Sequence, residues 1–180
     1  SRQNEGAVSI SPETGELIVG KFSKRFEEMD VLPSPYLNGL LDYWLEGDYT
    51  PPIETIRGCP FKCTFCFDAV NKSIDKFSLE RTIAELDYIV KNTKNLEKKG
   101  LLIVDVNFGI YKEDLLTAAH LGELVEKTNW PANIEVGGSG KQNMERTLEC
   151  RRLTKNRFSI GLARQSMNPE TCKIIKRRNY

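Results

Sequence analysis

The sequence predicts an α/β domain built on a parallel sheet, and three observations carry that reading. From Pro51 onward, short apolar runs alternate with amphipathic stretches in four successive strand-then-helix units, which implies right-handed crossovers between parallel strands. "LLIVDV" (101–106) is apolar almost throughout, as expected of a strand covered on both faces. Three cysteines spaced C-x3-C-x2-C, Cys59, Cys63 and Cys66, follow directly on a predicted strand, and open α/β sheets place their chemistry at the carboxyl ends of strands. Four units are too few to close an eight-unit barrel, so the expected sheet is an open arc or a barrel cut short.

The first 50 residues read as a loop-rich linker: "SPETGE" (11–16) is a turn and "ELIVGKF" (16–22) a short strand. "LPSPYLNGLLDYWL" (32–45) sets two prolines before a short apolar helix. "IETIR" (53–57) is the first strand of the repeating pattern and feeds the cysteine loop. Ser78 is the expected N-cap of a helix with Leu79, Ile83, Leu86 and Ile89 or Val90 on one stripe. After the strand at 101–106, Lys112 to Thr128 is a helix with Glu113 and Asp114 in its first turn and Leu115, Ala118, Gly122 and Val125 on one face. "NIEV" (133–136) is a third strand, Asn143 to Leu153 a third helix and "RFSIGLA" (157–163) a fourth strand. Asn168, Pro169 and Glu170 open the last helix with a capping residue, a proline at the first helical position and an acid near the positive end of the dipole.

Composition narrows the function. At 180 residues the chain suffices for one domain with a sizeable core. Lysine and arginine (26) nearly balance aspartate and glutamate (25), which argues against nucleic acid or an acidic membrane as partner and for a small-molecule or protein substrate. No apolar run approaches the roughly 20 residues of a membrane span, and no signal peptide opens the sequence, so a soluble, cytoplasmic protein is expected. Five cysteines, three of them too close for a simple disulfide framework, fit a reducing compartment. Ser1 is not a natural initiator, and the chain is expected to be a fragment.

Three thiolates on one tight loop suit a metal centre with one coordination position left open. Structural zinc takes four closed ligands and a ferredoxin-type cluster four cysteines, so three point to a 4Fe-4S cluster whose fourth iron is free. Gly58 lets the chain turn, Pro60 stiffens the loop, and Lys62 with the exposed amides offsets thiolate charge. Two other classes stay open: an iron–sulfur electron-transfer module, and a zinc-stabilised interaction domain completed by Cys150, Cys172, His120 or Asp68. Cys150 and Cys172 fall in predicted helices, where a lone cysteine is usually a small buried hydrophobe, and His120 reads as a packing residue.

"RGCPFKCTFC" resembles the cluster loop of the radical S-adenosylmethionine (radical SAM) enzymes, C-x3-C-x-aromatic-C at the end of the first strand of a partial (βα)6 barrel, here truncated to about four βα units. The resemblance implies that Cys59, Cys63 and Cys66 hold the 4Fe-4S cluster and that S-adenosylmethionine chelates the open iron. Reductive cleavage would then give a 5′-deoxyadenosyl radical, with the electron supplied by an external donor such as flavodoxin or ferredoxin. Phe65 would lie beside the adenine, with simple loop packing as the alternative. "VDVNFG" (104–109) resembles a D-x-N-F variant found in the branch with an upstream cobalamin-binding domain, which implies that Asp105 and Asn107 meet the methionine amino group. Helix capping is the alternative for Asp105. In "VGGSGKQN" (136–143) the glycines allow close backbone approach, and Lys141 is a candidate for the methionine carboxylate, or a solvated turn residue.

"SIGLARQSMNPETCKIIKRRN" (159–179) resembles the fourth strand and helix of the same branch, implying that Gln165 and Ser166 bind the ribose hydroxyls; Arg164 departs from the apolar residue expected there. The run Lys176, Arg177, Arg178 reads as a solvated helix end favoured by the dipole. The resemblance extends over about residues 30–180. It implies a division into a linker (1–50), following a cobalamin-binding domain that is not in this chain, and a radical SAM core (51–180) that is incomplete at its C-terminus. The implied activity is radical chemistry, with cobalamin-dependent methylation or a related C–H functionalisation in the intact protein.

Overall fold

The structure is a computed structural model that describes residues 5–22, 24, 26–67, 74–138 and 143–177. The chain opens with a hairpin of β1 (Val8–Ile10) and β2 (Leu17–Val19), antiparallel, with Val8 opposite Val19 and Ile10 opposite Leu17. The predicted turn closes it: the Gly15 amide donates to the Ser11 carbonyl at 2.9 Å, and the Ser11 hydroxyl accepts from the Thr14 amide at 3.2 Å. The helix expected after the paired prolines shortens to α1 (Asp42–Glu46), which buries only Leu45. Its last carbonyls are closed by the Lys99 ammonium, which donates to Leu45 and Gly47, a cation placed at the negative end of a helix.

The stretch expected as one strand over 53–57 divides in two. β3 (Pro52–Ile53) lies in the central sheet, whereas β4 (Ile56–Arg57) leaves it and pairs antiparallel with β5 (Asp75–Lys76). The cause lies 50 residues away: buried Asp105 accepts from the Thr55 amide at 2.8 Å and the Thr55 hydroxyl at 2.5 Å. A side chain thereby takes the donor that a ladder would have used, and the strand ends there.

α2 (Leu79–Asn92) is capped by the Ser78 hydroxyl, which accepts from the Arg81 amide at 3.1 Å, and its Leu86 and Ile89 are fully buried. β6 (Leu101–Ile103) is the middle strand of a parallel sheet ordered β3, β6, β7 (Ile134–Val136), with Ile53 opposite Ile103 and Ile103 opposite Val136. α3 (Glu113–Thr128) and α4 (Met144–Leu153) connect and cover it, and α4 starts from Asn143 in the left-handed region (φ 58). α3 and α4 touch at Gly122, where a Cβ would stand 2.1 Å from the Leu153 carbonyl oxygen. Only glycine admits that approach.

The fourth predicted strand, 157–163, does not form. Phe158 makes a single parallel bridge to Ile134 and buries its ring edge-on against Phe108, while Ser159, Gly161, Leu162 and Ala163 are exposed. Leu162 also sits at a bridge position, but among the described residues no strand pairs with the outer side of this segment. The last helix, α5 (Pro169–Ile174), begins as expected with the Asn168 side chain accepting from the Thr171 amide at 3.1 Å. The described residues thus give a mixed α/β fold around a three-stranded parallel sheet, rather than four complete strand-and-helix units. Leu86, Ile89, Leu101, Ile103, Leu121, Trp130 and Ile134 form its core. Among the described residues no helix is long and apolar enough to cross a membrane.

Candidate functional site

The cysteine loop leaves β4 through Gly58, whose φ of 102° is the left-handed backbone that glycine accepts freely. Cys59 and Cys63 are buried and Cys66 half-buried. The Cys66 amide donates to the Cys63 carbonyl at 3.1 Å, which keeps the second and third cysteines in one turn, and the Thr64 amide donates to the Ile175 carbonyl at 3.1 Å, tying the loop to the end of α5.

All three cysteines line one cavity of about 520 Å³. Opposite them stand Val106 beyond β6, Val136, Gly137 and Gly138 at the end of β7, and Gly161 to Ala163 with Gln165. The carboxyl ends of the parallel strands therefore converge on the thiols, the placement that sheet topology favours. A Cβ on Gly137 would meet the carbonyl oxygens of Val104 and Asp105 at 3.1 Å, so neighbouring strand ends press together behind the cavity wall.

Arg177, three residues past the end of α5, also lines the cavity and is not singled out by sequence reasoning. It is not part of a solvated helix end: it is buried, its Nη1 donates towards the Cys63 sulfur at 3.6 Å, and its Nη2 donates to the Ala163 carbonyl. Its buried Nε has no hydrogen-bond partner among the described residues. Nothing in a run of basic residues separates Arg177 from exposed Lys176; only the packing of α5 on the cysteine loop does so.

The other sequence-predicted residues divide between two places. Phe65 and Gln165 line the cysteine cavity, Gln165 from the left-handed region (φ 43). Asp105 and Asn107 do not; with Gly58 and Tyr111 they border a small void beside the first cysteine. Burial pushes the Asp105 carboxyl up to about 6 despite the donors from Thr55, and burial likewise raises Asp114 to about 6. Asp105 does not cap α3, whose N-cap position is Lys112 with no side-chain capping bond; Asp114, in the first turn, instead accepts from the loop amides of Gly109 at 2.8 Å and Tyr111 at 2.9 Å. Asn107 is buried with neither amide atom partnered among the described residues, and the buried Tyr111 hydroxyl is in the same position. The Ser166 hydroxyl accepts from the Asn168 amide at 3.1 Å, within the turn that starts α5. Lys141 lies outside the described residues, as does Asp68.

The distant residues considered as a fourth zinc ligand stand elsewhere. Cys150 is fully buried on α4, and burial pushes its thiol up to about 12. The Cys172 thiol donates to the Ser166 carbonyl at 3.2 Å, and His120 Nε2 lies 2.8 Å from the Asp87 carboxylate, joining α3 to α2. Among the described residues no group of three or more His, Cys, Asp or Glu side chains is gathered as a metal site.

No protein-family model matches the chain. Its sequence and fold do align with cobalamin-dependent radical SAM enzymes, which bears out the resemblance read from the cysteine loop. The chain is 28% identical to the cobalamin-dependent radical SAM methyltransferase TokK of Streptomyces tokunonensis, the match covering 91% of this chain and 25% of that protein. It is 27% identical, with the same coverage, to the 2-(S-pantetheinyl)-carbapenam-3-carboxylate methyltransferase of Streptantibioticus cattleyicolor. The solved structure of the cobalamin-dependent S-adenosylmethionine radical enzyme OxsB, with aqua-cobalamin and S-adenosylmethionine bound, matches in fold with a TM-score of 0.56 at 20% identity, covering 96% of this chain and 26% of that one. The chain thus spans about a quarter of the length of the relatives it matches.

Proposed function

We propose that this chain is the cluster-binding part of a radical SAM enzyme and that Cys59, Cys63 and Cys66 hold a 4Fe-4S cluster. One observation carries the reading: among the described residues, three thiols and no carboxylate line a single cavity at the carboxyl ends of the parallel strands. That donor set fits the group, because soft thiolates suit iron–sulfur clusters and three of them leave one iron open. Bound there, the cluster supplies one-electron reductive cleavage of S-adenosylmethionine to methionine and a 5′-deoxyadenosyl radical that abstracts hydrogen from a substrate.

The chain's own residues bind and orient. Phe65 offers a ring face, Gln165 an amide, Gly137 and Gly138 an uncluttered backbone edge, and Arg177 a buried cation for an anionic group. Asn107 keeps a buried amide beside Gly58, unpartnered among the described residues, for a polar group entering there, while Asp105 holds Thr55 and so fixes the approach of the loop to Cys59. Ser166 and Lys141 complete the ligand set carried over from the resemblance. We assign residues 1–50 to a linker and 51–180 to the radical SAM core. In the intact protein, we assign a cobalamin-dependent methylation or related C–H functionalisation of a small-molecule or protein substrate, an external electron donor such as flavodoxin or ferredoxin, and a cytoplasmic setting. The names of the two sequence relatives support the radical SAM and cobalamin-dependent methylation parts of this reading, and the structural neighbour supports its fold.

Anaerobic reconstitution with iron and sulfide tests it. A brown protein whose reduced EPR spectrum shifts on adding S-adenosylmethionine is the expected result. A cluster with no spectral response contradicts the open-iron assignment, and a colourless protein with stoichiometric zinc contradicts the cluster.

A further inference from the structure

A second cavity, of about 550 Å³, adjoins the cysteine cavity, and Phe61 and Arg177 line both. Its outer rim is cationic: Lys62 comes from the cysteine loop, and Lys173 and Lys176 from α5 and its end. All three lysines are exposed, no carboxylate lines the groove, and none of the three is ion-paired among the described residues. In a chain whose charges almost cancel, with 26 basic against 25 acidic residues, such an uncompensated cluster marks a local field. We propose that this groove docks an acidic one-electron carrier protein, delivering the electron through the single layer formed by Phe61 and Arg177. The inference rests on the cluster assignment above and adds to it the face at which the electron enters.

Three features favour such a partner. Charge complementarity around a concave rim steers association and fixes orientation, as a transient redox encounter requires. The groove meets the cysteine loop at Pro60, Phe61 and Lys62, so a carrier seated there contacts the loop itself. Weak electron-transfer complexes bury little surface, which suits a groove of this size. The step balances simply: the carrier loses one electron and the cluster gains it, with no bond made or broken.

The test uses the reconstituted chain, an acidic flavodoxin as the probe, and the double variant K173E/K176E, which leaves the cysteine loop untouched. At low ionic strength, flavodoxin affinity and the rate of cluster reduction by flavodoxin hydroquinone are expected to fall at least about tenfold, with the difference closing at high salt. Iron content and reduction by the small cationic reductant methyl viologen radical are expected not to fall. The neutral variant K173Q/K176Q should lie between wild type and the reversal, which guards against a folding artefact. If the double variant binds and is reduced by flavodoxin as wild type is, the docking inference is overturned while the cluster assignment stands. If the chain takes up no cluster at all, the cluster assignment falls and the docking inference with it.

Discussion

Replacing Asp105 by asparagine isolates the contact that shapes the approach to the cysteine loop. Asp105 is 2% exposed, and desolvation raises its carboxyl from the ordinary 3.8 to about 6, outweighing the hydrogen bonds from Thr55 that favour the ionised form. The folded state therefore prefers the protonated acid. The contribution of Asp105 to stability is complete below pH 3.8 and is lost as pH rises through 6. At 1.36 kcal/mol per pKa unit, this shift corresponds to about 3 kcal/mol between pH 3 and pH 7. An asparagine keeps the oxygen that accepts from the Thr55 amide but cannot ionise, so its contribution does not change across this range. Urea unfolding of wild type and D105N at several pH values from 3 to 8 reads the difference directly. Asp114 titrates in the same window in both proteins and largely cancels. The wild type is expected to lose about 3 kcal/mol relative to D105N on going from acid to neutral pH. A difference that is flat with pH refutes the desolvation argument. One that moves in favour of wild type at neutral pH shows instead that the Thr55 donors dominate.

Three further outcomes follow from single positions. Gly122→Ala forces a Cβ to within 2.1 Å of the Leu153 carbonyl oxygen, and separating α3 from α4 is expected to cost about 1–3 kcal/mol in chemical denaturation. Ser78→Ala removes the side-chain acceptor for the Arg81 amide and should cost about 1 kcal/mol, recovered in part by Ser78→Asp. Cys150, fully buried with its thiol raised to about 12, should resist iodoacetamide in the native chain at neutral pH and react only on unfolding, as mass spectrometry of the alkylated peptides will show.

Signals confined to a few neighbouring residues were legible in the sequence. Ser78 and Asn168 cap the helices they are expected to cap, and the three closely spaced cysteines line one cavity. Features set by distant partners were not legible. The strand over 53–57 breaks because Asp105, 50 positions later, takes the Thr55 donors. The apolar run at 157–163 has a strand's composition, yet Phe158 makes only an isolated bridge to Ile134, and no named strand of the described residues forms there. Arg177 reads as one more surface cation until α5 folds against the loop and turns it towards Cys63. The D-x-N-F stretch reads as one binding unit, but Asp105 serves the backbone of the first strand while the Asn107 amide is unpartnered among the described residues.

The most direct test of the central claim is the iron and sulfide content of five single alanine variants after anaerobic reconstitution. C59A, C63A and C66A are expected to lose the 4Fe-4S cluster, whereas C150A and C172A should retain wild-type iron and sulfide. Loss of the cluster from C150A or C172A, or its full retention in any of the first three, contradicts a centre held by the three cysteines of the loop.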